Sequence, residues 1–247
     1  MKLFFVLLTS FFISELSAAE LHIAVASNFT KTMHNIVDAY EKKYADKIKI
    51  SSGSSGKLYA QIKHGAPFDL FFSADAYRPR LLEQDTLAIT GSRFTYATGQ
   101  LILWSPEATL VDPLGDVLGQ KRFKHLAIAN PKLAPYGIAA KAVLEHKGVW
   151  GTLGKRMVRG ENISQTFQFV KSGNAELGFV ALSQLKSNAG QIPGSFWLVP
   201  QSLYPPIEQQ ALILRDSFAV RQFIRFIQSH EMLGLIRSHG YTVNQGR

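Results

Sequence analysis

The sequence predicts an α/β protein of two lobes, each a parallel-type sheet with flanking helices, and a ligand cleft between them. Three observations predict it. Short apolar runs alternate with amphipathic helical stretches in both halves of the chain, with short joints between them. Two stretches, 96–99 and 200–206, interrupt that alternation as connections between lobes would. Four helix starts carry one theme, a strand followed by a small or polar turn: Ser27-Asn28, Ser54-Ser55-Gly56, Pro135-Tyr136-Gly137 and Asn162-Ile163-Ser164. Two fall in each half. The expected division is residues 1–19 as a leader, 20–97 with 205–247 as one lobe, and 98–204 as the other.

The leader is read from Met1-Lys2, a basic start, an apolar run over 3–13, and the small-x-small site Ser17-Ala18-Ala19. That run is too short for the roughly 20 apolar residues a bilayer demands. Cleavage after Ala19 would release a soluble chain to the periplasm. Residues 21–25 then read as a buried strand. A helix follows to about 44, with Phe29, Met33, Ile36, Val37, Tyr40 and Tyr44 on one stripe and Lys31, His34, Asp38 and Lys42 opposite. Ser27, Asn28 or Thr30 is its expected cap. A strand over 48–51 runs into SSGSSGK, which opens a helix over 55–64. The turn Gly65-Ala66-Pro67 and a strand over 70–73 come next, and Asp75 is expected to cap a helix bearing Leu81 and Leu82.

Residues 91–99 break the pattern, and 101–104 resume it as a strand. The second series has a strand at 126–129 and a helix from Pro135 to about 146. A further helix runs from Asn162-Ile163 to about 170, and a strand covers 178–181. Residues 200–206 are proline-rich and irregular. A strand over 209–214 and helices over 217–229 and 231–238 close the chain.

Composition narrows the function. With 247 residues and 46% hydrophobic content, the chain can bury one large core or two modest ones. The net charge of +9 comes from scattered lysines and arginines, with no nucleic-acid-binding motif, so no nucleic-acid partner is expected. The chain has no cysteine. That removes disulfides, thiolate metal sites, a cysteine nucleophile and a lipid anchor on an amino-terminal cysteine.

The four helix starts point to an anion. The first turn of a helix has unpaired N–H groups and a partial positive charge, and in parallel α/β lobes such turns lie at the carboxyl ends of the strands. Converging on one cleft, about six donors worth roughly 1.5–3 kcal/mol each would hold an anion without any side-chain charge. Competing chemistries fit less well. Gly53-Ser54-Ser55-Gly56-Lys57-Leu58 approaches a phosphate loop but lacks its leading glycine and its Mg²⁺-binding hydroxyl. A secreted serine hydrolase using Ser55 is the enzyme alternative, although no GxSxG elbow is present. No HExxH or clustered His/Asp pattern marks a metal centre.

These segments resemble the periplasmic molybdate/tungstate-binding proteins of ABC transporters, of the type II periplasmic binding protein family. The resemblance is carried by AVASNF, SSGSSGKLYAQIKHGAPFDLFFSAD, GSRFTYATGQLILWS, AIANPKLAPYGIAAKAVL, GENISQTFQFVKSGNAELGFVALSQ and the closing Gly240-Tyr241. It implies a two-lobed, non-enzymatic receptor, a monomer with no cofactor, that closes on molybdate or tungstate and hands it to a membrane permease with its ATPase. Sulfate or another oxyanion is the alternative ligand. Carried over by motif, Ser27 and Ser55 would each give a hydroxyl and a backbone N–H, and Asn28 its backbone or side chain. Tyr136 and Ile163 would give backbone N–H groups. In some members a tyrosine in the segment aligned with 178–183 adds a hydroxyl. Ala181 stands there in this chain, so the donor is either absent or replaced by Asn28 or Tyr136.

Overall fold

The computed structural model describes residues 19–186 and 191–243. Apart from Ala19, the expected leader lies outside the described residues. Two five-stranded mixed sheets form the framework. The first contains β1 (Glu20–Ala26), β2 (Lys47–Gly53), β3 (Leu70–Phe72), β4 (Phe94–Gly99) and β10 (Ile207–Ile213), in the order β2-β1-β3-β10-β4. The second contains β5 (Leu101–Ser105), β6 (Leu126–Ala129), β7 (Met157–Gly160), β8 (Leu177–Ala181) and β9 (Ser195–Leu198), in the order β7-β6-β8-β5-β9.

The strands joined through helices are parallel: β1 with β2 and β3, β6 with β7 and β8. The antiparallel strands are β5 and β10. Each is the first strand after the chain crosses from the other sheet. No helix carries the chain back to the starting end at those crossings, so the incoming strand runs against its neighbours. The crossings are Gln100, between β4 and β5, and the stretch 199–206, between β9 and β10. Residues 94–99, inside the stretch expected to be irregular, form β4. Its bulged ladder with β10, shifted at Gln209/Gln210, Gly91 ahead of it and Gly99 as its last residue hide its alternation in the sequence.

The helices of the first lobe are α1 (Thr30–Glu41), α2 (Ser55–Lys63), α3 (Tyr77–Gln84), α9 (Phe218–Ile227) and α10 (His230–Ser238). The second lobe has α4 (Val117–Gln120), α5 (Pro135–His146), α6 (Trp150–Leu153), α7 (Ile163–Lys171) and α8 (Leu182–Leu185). The apolar stripe expected on α1 is its buried face: Met33, Ile36, Val37 and Tyr40 pack with Phe223 and Phe226 of α9. Asp75 lies one residue ahead of the N-cap of α3, Ala76, and accepts the first-turn N–H of Arg78 at 2.8 Å. None of the three candidates caps α1. A 3-10 turn, Ser27–Phe29, precedes it instead, and Thr30 Oγ1 pairs with Ser52 Oγ at 2.6 Å.

One buried titratable group ties α10 to α1. His239 is buried, with Nδ1 2.9 Å from Thr32 Oγ1 and Nε2 3.3 Å from Asn35 Nδ2. Burial, and secondarily the nearby Lys31 charge, holds its pKa below the usual histidine value. The unfolded chain therefore takes up a proton near pH 6.5 that the folded chain still refuses. Stability is present above that pH and is lost as pH falls below it. His239→Gln is expected to flatten the acid side of a plot of melting temperature against pH, and an unchanged slope would remove His239 as the cause.

Candidate functional site

Sheet register brings the helix starts together. In the first lobe Ala26 is paired with Gly53 at the carboxyl ends of β1 and β2, so Ser27-Asn28 and Ser54-Ser55 leave the sheet side by side. In the second lobe Ala129 is paired with Gly160, so the chain leading to Pro135-Tyr136 leaves beside that leading to Ile163. The lobes meet face to face at these ends. Gly56 N–H donates to Leu133 O at 2.9 Å, and an exposed Lys57–Glu161 pair at 3.4 Å also crosses between lobes. Lys57 is thus a rim residue whose solvated ion pair contributes little.

Ser27, Asn28, Ser55, Tyr136 and Ile163 line one small cavity of about 10 Å³, roughly the room of a single water-sized sphere. Among the described residues its lining includes no histidine, carboxylate, lysine or arginine. A cavity this small excludes a sugar, amino acid or peptide.

The backbone donors can be traced one by one. In α2, Gly56 N–H goes to Leu133 O and Lys57 N–H to the Ser54 hydroxyl at 3.3 Å, which leaves Ser55 N–H. In α5, Pro135 has no N–H and Gly137 N–H goes to Ala134 O, which leaves Tyr136 N–H. In α7, the Asn162 side chain caps Gln165 N–H at 3.0 Å, which leaves Ile163 and Ser164 at the first two positions. Such first-turn groups have no intrahelical acceptor. Capping spends the deeper donors and leaves free those facing the cavity.

The side chains divide differently. Ser55 is buried and its Oγ accepts the Ala74 N–H at 2.9 Å, so its own proton is free to donate. No imidazole or carboxylate is in the lining to take that proton away, which leaves the hydrolase alternative without a base. Asn28 was expected to offer backbone or side chain, and its side chain is committed elsewhere. Nδ2 donates to Gln209 Oε1 at 2.9 Å and to Tyr241 Oη at 3.1 Å. The Tyr136 hydroxyl faces Gln209 Nε2 at 3.4 Å. Neither side chain replaces the tyrosine missing at Ala181, which lies buried in the second lobe's core with its N–H on Gln184 Oε1.

Behind the cavity lies a polar layer that the sequence reading missed as a unit. Gln209 is fully buried on β10, and its Oε1 also accepts the Tyr96 hydroxyl at 3.0 Å. Burial raises the pKa of Tyr96, Tyr136 and Tyr241. All three phenols stay neutral at ordinary pH and act as hydrogen-bond partners only. A pair of glutamines within a strand, Gln209-Gln210, gives no sequence signal of which one turns to the cavity side. Tyr241 follows a helix end at Gly240, and nothing local to it signals a partner 213 residues away.

A profile of the family described as bacterial extracellular solute-binding protein matches residues 21–242. The molybdate-binding protein ModA of Azotobacter vinelandii is 45% identical over 91% of this chain and 90% of its own length. That of Rhodobacter capsulatus is 43% identical over 91% and 89%. Among solved structures, the periplasmic molybdate-binding protein of Azotobacter vinelandii superposes with a TM-score of 0.89 at 41% identity, covering 91% of this chain and all of that one.

Proposed function

Since the chain belongs to the family of bacterial extracellular solute-binding proteins, we propose that it is a non-enzymatic receptor for molybdate or tungstate in the periplasm. It delivers the anion to an ABC importer. The observation that carries this reading is the uncharged cavity lined by Ser55, Tyr136 and Ile163, whose first-turn N–H groups are spent on no backbone or capping bond. Ser27 and Asn28 complete the donor set from the first lobe, Asn28 through its backbone. The lobes expected as residues 20–97 with 205–247 and 98–204 are divided here at the crossings Gln100 and 199–206, which keeps Thr98 and Gly99 with β4 in the first lobe, and an export signal precedes them. The choice of anion follows the molybdate-binding relatives.

The chemistry favours a fully ionised tetrahedral oxyanion. Donors without counter-charges stabilise such an ion by roughly 1.5–3 kcal/mol per hydrogen bond. Phosphate carries a proton near neutral pH and would need an acceptor, and the cavity offers mainly donors. Calorimetry of the purified protein with molybdate, tungstate, sulfate and phosphate tests the reading. Heat with molybdate and tungstate is expected at micromolar concentration or below. Heat with sulfate and none with the other two would overturn the assignment.

A further inference from the structure

Two serines of the second lobe, absent from the cavity lining, bond the turn that is to hold the anion. Ser164 Oγ donates to Ser27 O at 3.0 Å, and Ser183 Oγ donates to Asn28 O at 3.2 Å. The Tyr241 hydroxyl donates to that same Asn28 carbonyl at 2.8 Å and lies 2.9 Å from Ser183 Oγ. Ser27, Asn28 and Ser183 are all buried. Ser164 and Ser183 reach Ser27-Asn28 only where the lobes meet. With the lobes apart, water would satisfy the same groups.

We propose that Ser164 and Ser183 are positioning residues for the oxyanion, a pair of hydroxyl bolts that hold the lobes shut and set the rate of anion release. The inference rests on the receptor reading given above. Two features lift it above ordinary interface contact. The carbonyl that Ser164 bonds belongs to the same peptide unit as the Asn28 N–H. A donor on one end of a peptide group polarises the other, so closure strengthens Asn28 as a donor to the anion. The two serines also line, with Lys31, His34 and Phe167, a separate cavity of about 420 Å³ on the other side of the Ser27-Asn28 turn. Ser27 and Asn28 line both cavities. The bolts therefore stand between the anion cavity and that open vestibule.

The test uses the purified protein and molybdate, with affinity from calorimetry, dissociation rate from stopped-flow fluorescence and compaction from small-angle scattering. S164A and S183A are each expected to weaken binding about threefold to tenfold, the worth of one neutral hydrogen bond. The change should lie in a faster dissociation rate, with the association rate and the unliganded melting temperature held. S164T, which keeps the hydroxyl, should recover most of the difference. Wild-type dissociation in both alanine variants would overturn the bolts while leaving the receptor intact, and so would S164T releasing as fast as S164A. A wild-type protein that neither binds nor compacts with molybdate would overturn both.

Discussion

Gly137→Ala is expected to lower stability and oxyanion affinity together. A Cβ at this position would lie 2.2 Å from Ala129 O and 2.8 Å from Ala129 C. Both atoms are backbone at the end of β6 and cannot rotate aside. Alanine would favour the helix by about 1 kcal/mol over glycine, but an overlap this deep pushes α5 off the strand end. Overpacking of this kind costs about 1–3 kcal/mol, occasionally more. The shifted residue is the neighbour of Tyr136, so its N–H donor moves out of the cavity with the helix start. Losing that bond to a charged group costs a further ~1.5–3 kcal/mol of binding, about tenfold to a hundredfold or more. Gly151, with open space around its position, is the control: Gly151→Ala should do neither. Thermal melts and molybdate calorimetry on both variants check this. Wild-type values for Gly137→Ala would show that the close approach of α5 to β6 is dispensable.

Ser55→Ala should damage the protein twice. In the proposed receptor the hydroxyl donates to the anion, and its removal is expected to weaken binding by about tenfold to more than a hundredfold, or ~1.5–3 kcal/mol. The same oxygen accepts the N–H of buried Ala74. Without it that N–H is orphaned, at a cost of about 1–3 kcal/mol in folding. Binding and melting temperature should therefore fall in parallel. Unchanged affinity would take Ser55 out of the donor set. Ester turnover in the wild type that disappears in the variant would instead revive the hydrolase alternative.

Much of this was legible in the sequence because it is local. A Ser/Gly run feeding an amphipathic helix, or a proline at the first helical position before Tyr136, fixes a helix start within a few residues. The starts expected at Ser55, Pro135 and Ile163 are where α2, α5 and α7 begin. What escaped was long-range. The Ser164–Ser27 and Ser183–Asn28 bonds join residues 137 and 155 positions apart, and the choice of Gln209 rather than the cavity for the Asn28 amide spans 181. Side-chain direction at a turn is set by what the other elements deliver there, and no local pattern records it. The antiparallel β5 and β10 escaped for a related reason: strand direction after a crossing depends on which end the chain returns to. Short edge strands such as β7 and β9 carry too few residues for alternation to register.

The polar layer of Gln209, Tyr96, Tyr136 and Tyr241 has a consequence for how cargo leaves. Neither the cavity lining nor this backing offers a group that changes charge between mildly acidic and mildly alkaline conditions. Capture by such a site is indifferent to protons, so acidity outside the cell cannot serve as the signal for unloading. On the receptor reading, unloading then goes through separation of the lobes, and the interlobe bonds of Ser164, Ser183 and Gly56 are the ones that break.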